Sequence, residues 1–415
     1  MSEQQPVEVF RAPNGLTLLV KENHATPVVS VTACLRGGLR DEDETNHGVT
    51  HFMQRMLVNG THRRSAEDIA SDLEFLGTSM APFTGKDVFG ASMTCLARHF
   101  PAALDIFADC LLHPTMPHDE CAKECQIILT DIERRRDDTL GHCLELCERA
   151  MFEGHPYRLS VAGSEHTLSS IDDRSLQEWH ARFYRPDQMV VALVGDVAAS
   201  HAQELLFEAF GAMERQTSSP SPARPCAAPT AVRELTEMRD KRQVAVSLGF
   251  HGPAVGDDAS YAFDVLNHVL SGMGSRLFIE LRDRLGLGYL VNCHFESRLD
   301  AGAFKIYIGT SEERRERAHL AMLEELARLR EQPVSQEELV RTRAYMLGLF
   351  ELALQRTSVQ ASRLAYYQVM GRGHALLEEY PRRITDVSAR DVLEVARRHL
   401  DVERYAIAQV IAAGA

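Results

Sequence analysis

No run of about 18 apolar residues occurs anywhere in the 415-residue chain, so no membrane-spanning helix is expected. The first residues, Met1-Ser2-Glu3-Gln4-Gln5-Pro6, lack the basic-then-apolar order of a signal peptide. They also lack the Arg-rich, acid-poor character of a mitochondrial leader. Nine cysteines are present, but their spacing pairs into no disulfide framework, which leads to an expectation of reduced thiols and a cytoplasmic location. Cys121 and Cys125, like Cys143 and Cys147, stand four apart at helical spacing. They read either as a two-cysteine metal or redox clip or, the favoured choice, as small apolar residues on a helix face. Positive charge is scarce too. Lys and Arg total 45 against 59 Asp and Glu, and a net charge of −14 argues against nucleic acid and anionic membranes as partners. The same acidity suits a protein that attracts basic peptides.

What remains is an ordinary globular composition, 45% hydrophobic and 25% charged. The length suffices for two domains of roughly 200 residues each. Segments 7–10 and 16–20 flank Asn14-Gly15 and predict a hairpin, and 28–35 reads as a central strand. One helix is predicted from Asn46 to Gly60. Another starts at Ser65, with Asp68 three residues on as a capping box. Strands follow at about 78–83 and 88–96, then helices over 101–112, 118–152 and 172–184. The apolar run 189–197 reads as a buried strand, and 198–210 as the helix closing the first half. Residues 217–225 are rich in Ser and Pro without period, which marks a linker. The order then repeats: strand 243–250, helix 261–270, strands near 289–295 and 303–309, helices 312–330 and 335–355. The last opens on Ser335 with Glu338 as a second capping box. The expected fold is α+β, two duplicated domains over 1–215 and 231–415 joined by a linker at 216–230. Each would be an antiparallel-rich sheet covered by helices.

One stretch organises the first half: Gly48-Val49-Thr50-His51-Phe52-Met53-Gln54-Arg55, followed by an apolar run and Gly60-Thr61. By itself a histidine on an apolar helix is more often structural than a ligand. Together with Arg36-Gly37-Gly38-Leu39-Arg40-Asp41-Glu42 just upstream, the stretch resembles the signature of the M16 zinc peptidases (pitrilysin/insulinase-like, inverzincin type). There, H-x-x-E-H on a helix supplies two zinc ligands and a general base. His51 stands at the first ligand, Gln54 at the base and Arg55 at the second ligand. Gln takes no proton near neutral pH, and Arg has no lone pair for a metal. The family's third ligand lies downstream in a Glu-x6-Glu pattern, where this chain has Glu124 and Asp131. The resemblance therefore implies a degenerate site, His51, Gln54, Arg55 and Asp131, holding no metal, with Arg55 expected to pair with Asp131. It extends to Gly154-His155-Pro156-Tyr157 and Gly195-Asp196. It also covers Met80-Ala81-Pro82-Phe83-Thr84, similar to the edge strand on which active members pair substrate by strand addition. Pro82 removes an N–H from that edge.

The second half keeps more. Ser271-Gly272-Met273-Gly274-Ser275-Arg276-Leu277-Phe278 resembles the family's Gly-rich segment, and Arg282 and Tyr289 follow in R-x6-Y spacing around Gly286 and Gly288. In active members such a pair binds substrate backbone and helps stabilise the oxyanion. Both side chains are suitable donors. Without the resemblance, Arg282 would read as a surface helix charge and Tyr289 as a strand residue filling the sheet. The resemblance, which covers nearly the whole chain, implies the M16/LuxS-like metallohydrolase fold. It further implies a non-catalytic subunit of a heterodimeric M16B metallopeptidase, supplying Arg282 and Tyr289 in trans to a homologous partner with intact H-x-x-E-H. Zinc would sit in that partner and no cofactor in this chain. The substrate would be a peptide, maturation of a cofactor precursor being one such use. Alternatives are a structural core subunit of a larger complex and a homodimeric peptide-binding protein.

Overall fold

The computed structural model describes residues 6–215, 222–240 and 243–413. Of the expected linker, 216–221 lie outside the described residues, and 222–232 form neither helix nor strand. The first half of the chain runs β1 (Glu8–Arg11), β2 (Thr17–Glu22), β3 (Val28–Arg36), α1 (Val49–Met56), α2 (Ala66–Phe75), β4 (Met80–Thr84), β5 (Val88–Leu96) and α3 (Phe100–Leu112). It continues with α4 (His118–Asp137), α5 (Thr139–Met151), α6 (Glu165–Leu168), α7 (Asp173–Phe183), β6 (Met189–Gly195) and α8 (Ala199–Phe210). The second half runs β7 (Arg233–Arg239), β8 (Val244–Gly252), α9 (Ala259–Leu270), a π-helix (Phe278–Arg284), β9 (Leu290–Glu296), β10 (Gly302–Thr310) and α10 (Glu312–Glu331). It ends in α11 (Gln336–Ala353), α12 (Thr357–Val369), α13 (Leu376–Asp386), α14 (Ala389–His399) and β11 (Ala406–Ala412).

The duplication is visible in the strand order. One sheet reads β1-β2-β6-β3-β5-β4 and the other β7-β11-β8-β10-β9. In each, one parallel pair (β2 with β6, β7 with β11) is followed by antiparallel neighbours, and β1 is an extra strand on the first sheet. Buried apolar runs such as Met189–Gly195 and Val244–Gly252 explain the central strands, since both faces of each are covered.

The two compact units do not follow the contiguous division at 215 and 231. One comprises residues 1–130, 160–222 and 352–378, the other 131–159, 223–351 and 379–415. The halves exchange a helix. In the first unit α12, from the second half, lies on β3 and β6. Buried Ser30 and Thr32 meet it through Thr357 Oγ1 at 2.9 Å and Ser362 Oγ at 3.2 Å. In the second unit α5, from the first half, lies on β8 and β11. There the Cys143 thiol reaches the Ala408 carbonyl at 3.3 Å. Gly249 lets α5 approach closely, because a Cβ would stand 2.4 Å from Met151 Sδ. Glu148 on α5 holds Lys305 at 2.6 Å and buried Arg298 at 2.8 Å. This exchange corrects the single helix expected over 118–152. The chain breaks at Asp138, whose carboxylate caps α5 through the Leu140 N–H at 3.1 Å.

Cys143 and Cys147 are fully buried and free, in keeping with small apolar residues. The Ser65–Asp68 capping box forms in both directions. The Ser335 box forms only in half: Ser335 Oγ accepts the Glu338 N–H at 3.1 Å, but the Glu338 carboxylate turns to Arg276. Among the described residues no helix is long and apolar enough to cross a membrane.

Candidate functional site

α1 starts later than expected. Its cap is Gly48, in the left-handed region at φ 97, and Asn46 instead accepts the Asp43 N–H at 2.8 Å. The open N–H groups of the first turn are satisfied from a distance. The Glu42 carboxylate, 1% exposed, accepts Gly48 N–H at 2.7 Å and Thr50 N–H at 3.1 Å. Burial pushes this acid up to about 7, against the pull of the Thr50 and Gly48 hydrogen bonds. Val49, Phe52, Met53 and Met56 are buried where α1 packs on α7, β4 and β5. Trp179 of α7 donates its indole N–H to Thr50 Oγ1 at 3.0 Å.

On this helix the two departures from H-x-x-E-H are locked into other partners. Gln54 is buried, and its Nε2 donates to the Tyr184 hydroxyl at 2.8 Å. Its Oε1 is buried with no partner among the described residues. Burial raises the Tyr184 phenol well above its ordinary range, so it stays neutral. Arg55 Nε donates to Glu124 Oε1 at 2.5 Å, the side chains being 40% and 10% exposed. This corrects the expected Arg55–Asp131 pair. Glu124 is the longer and more sheltered acceptor, while Asp131 is served within its own helix by Arg134 at 3.8 Å. His51 is half-buried, one turn before Arg55.

The set does not fit a zinc ion. A guanidinium bonded to a carboxylate occupies the second-ligand position, and a carboxamide bonded to a phenol replaces the base. β4 is the outermost strand of its sheet, with Pro82 at its centre opposite Ala91.

In the second unit, Arg282 belongs to the π-helix Phe278–Arg284, a form that occupies well under 1% of residues and recurs at functional sites. Its i→i+5 bond runs from Leu285 N–H to Glu280 O at 3.0 Å. Arg282 is exposed, and its guanidinium carbon lies 4.4 Å from the Phe278 ring centre. No carboxylate pairs with it among the described residues. Tyr289 precedes the outermost strand β9 and is 91% exposed, so it does not fill the sheet. Its hydroxyl has no partner among the described residues either. Exposed Met273, Ile279, Leu285 and Leu290 surround the pair in sequence. Gly288 permits the turn between them, since a Cβ there would meet the Gly309 carbonyl at 2.2 Å.

Of the expected residues, then, Gln54 and Arg55 are committed inside the first unit, and Arg282 and Tyr289 are uncommitted in the second. Tyr184, absent from the expectations, became visible only once the fold brought it to Gln54. Glu42 was in the quoted upstream string, but nothing in its spacing marked it as the helix cap.

A protein of this architecture with a zinc-peptidase-like helix can be placed by comparison. Residues 17–165 match the domain described as insulinase (peptidase family M16), and residues 170–346 match the peptidase M16 inactive domain. An uncharacterized zinc protease of Mycobacterium tuberculosis is 31% identical over 402 residues, covering 95% of this chain and 91% of that one. One from Bacillus subtilis is 28% identical over 411 residues, covering 98% and 99%. The fold is shared with a Helicobacter pylori protease at TM-score 0.91, 21% identity, and 98% and 100% coverage. It is shared equally with a peptidase M16 inactive domain from Pseudomonas fluorescens at TM-score 0.91, 22% identity, and 99% coverage of each chain. The chain belongs to the M16 peptidase family.

Proposed function

We propose that the chain is the zinc-less subunit of a two-chain M16 metallopeptidase and gives Arg282 and Tyr289 to the zinc site of a homologous partner bearing H-x-x-E-H. The observation that carries this is the contrast between committed and free donors. Arg55 and Gln54 are bonded where a second ligand and a base would stand. Arg282 and Tyr289 stand in solvent with no polar partner among the described residues. The Arg282 fork and the Tyr289 O–H would donate to a peptide carbonyl as its oxygen gains negative charge, and the fork would also orient the backbone. The substrate class is a peptide small or unfolded enough to reach both chains.

The test is reconstitution. The chain is used to capture an H-x-x-E-H partner of similar size from its host, and peptide hydrolysis is measured for each chain and for the mixture. Only the mixture is expected to turn over. Tyr289→Phe should lower kcat by about 10² to 10³, as loss of one oxyanion donor typically does, and Arg282→Ala by at least as much. Size exclusion should show the pair still assembled. Full activity from the double variant would overturn the proposal and leave a scaffold. Capture of membrane-complex subunits, or recovery of a lone homodimer, would point to the corresponding alternative.

A further inference from the structure

The π-helix is fastened at both ends but unevenly. After it, Arg314 donates to the Gly286 carbonyl at 2.5 Å, and Thr310 Oγ1 donates to the Leu287 carbonyl at 2.5 Å. Before it lies a loop in which a Cβ added at Gly272 or Gly274 would meet nothing within 4 Å, and Met273 is 81% exposed. Packing does not hold that loop. At the entrance Ser275 and Leu277 are buried, Ser275 Oγ accepts the Phe278 N–H at 3.4 Å, and Arg276 between them adds a polar tether. Arg276 presents its fork to Glu338, Nε to Oε1 at 2.8 Å and Nη2 to Oε2 at 2.6 Å, and reaches Glu325 at 3.6 Å. Glu338 and Glu325 are sheltered, at 12% and 5% side-chain exposure, and they belong to the first turn of α11 and to α10. Arg276 thus spans a cleft of about 360 Å³ whose other walls include Ile279, Glu280 and Arg284 of the π-helix.

We infer that Arg276 is a positioning residue: its bidentate bond to Glu338 fixes the entrance of the π-helix and thereby sets the direction of Arg282 and the approach to Tyr289. This rests on the clamp role proposed above for that pair. The physical case has three parts. A π-helix is a rare, less favourable winding that persists where its surroundings determine it. Within Phe278–Arg284 only Leu281 is buried, with Leu277 and Leu287 buried on either side, so packing anchors the segment at three points and leaves the winding between them to other contacts. The Glu338 side chain abandons its own capping box to serve the fork, so the sequence spends a helix-stabilising group on this contact. With the entrance released, the segment is free to rewind towards i→i+4 bonding. That shifts residue 282 around the helix axis relative to the residues before the segment and so changes the direction of its guanidinium, although 278 and 282 remain i,i+4 neighbours.

The experiment has two arms. In the isolated chain, amide hydrogen exchange over residues 278–289 is compared for wild type, Arg276→Lys and Arg276→Ala. Exchange is expected to rise at least tenfold in Arg276→Ala, with an intermediate rise in Arg276→Lys, which keeps a tether but not the fork, and to exceed the rise elsewhere in the second unit that follows from leaving sheltered Glu338 without its partner. In the reconstituted pair, Arg276→Ala is expected to lower kcat/KM by about tenfold to a hundredfold, the scale of a misplaced catalytic contact. Guanidinium at sub-denaturing concentration should not restore it, because a free ion pairs with Glu338 without tethering the chain, Glu325 being held by Arg328. Restoration by free guanidinium, or unchanged exchange in Arg276→Ala, would overturn the inference. The clamp proposal fails separately: if Arg282→Ala, Tyr289→Phe hydrolyses normally while Arg276→Ala still loosens 278–289, the tether stands and the clamp does not.

Discussion

Glu42 gives a sharp test of how the motif helix is held. Its carboxylate is buried, caps α1 through Gly48 and Thr50, and is pushed from 4.5 up to about 7 chiefly by burial, with Asp41 adding to the rise. An acid whose folded pKa exceeds its unfolded one binds its proton more tightly when folded. Its contribution to stability is therefore present at low pH and lost as pH rises between about 4.5 and about 7. At about 1.4 kcal/mol per unit, the rise corresponds to roughly 3 kcal/mol. Wild-type stability alone will not reveal this. Burial lowers His180 and His251 to about 4, so their contributions run the other way, present at higher pH and lost as pH falls below the usual imidazole range.

The difference between two proteins isolates the acid. Glu42→Gln keeps an acceptor for one N–H and cannot ionise, while both histidines remain. Urea unfolding at pH 5 and pH 8 should show wild type losing up to about 3 kcal/mol relative to the variant over that interval. Parallel pH profiles would refute the assignment, because they would mean that Glu42 ionises as easily in the fold as out of it. A variant weaker by the same amount at both pH values would show capping without any cost of burying the charge.

The Arg55–Glu124 contact should couple by about 1 kcal/mol in a double-mutant cycle of alanine variants followed by urea unfolding, the exposure of Arg55 keeping it modest. Additivity within about 0.3 kcal/mol would sink it. Because α5 and α12 each complete a sheet begun by the other half, chains ending at 215 and starting at 222 should fail to fold separately yet fold when co-expressed. Cooperative unfolding of either fragment alone would count against this.

The legible parts of the sequence were those whose signal is local. The Asn14-Gly15 hairpin, the alternation and apolar runs of the sheet strands, and the Ser65 box each depend on residues within one or two elements. The halves' shared order was legible for the same reason. What escaped depends on groups distant in the chain. Asp138 breaks a continuous apolar period at 118–152, and only its capping geometry reveals the break. β7 and β11 were not predicted. β7 alternates half-buried and exposed residues along a charged edge strand, and β11 pairs with it in parallel from the end of the chain, some 170 residues on. Counting along the sequence placed Arg55 against Asp131. The choice of Glu124 was set by shelter and side-chain length, which a spacing does not encode. Nor could the sequence announce that Glu338 would leave its cap for Arg276.

The two units differ in what their polar groups would lose on substitution, and this separates maintenance of the fold from activity. In the first unit, removing Arg55, Tyr184 or Glu42 strands a buried or half-buried partner, so selection for stability alone suffices to retain them. In the second, Tyr289 is 91% exposed and its hydroxyl bonds to nothing among the described residues, so Tyr289→Phe should move stability by no more than about 0.5 kcal/mol. Arg282 rests on Phe278 by a contact worth about 0.5 to 1 kcal/mol at an exposed site, which a lysine or a methionine could approximate. Fold maintenance thus gives little reason for a phenol at 289 or a guanidinium at 282, seven residues apart across a glycine-governed turn from a π-helix. Both groups keep their donors open to solvent. Under the proposed function their partner is a peptide carbonyl oxygen gaining negative charge, to which a guanidinium and a phenol O–H would both donate.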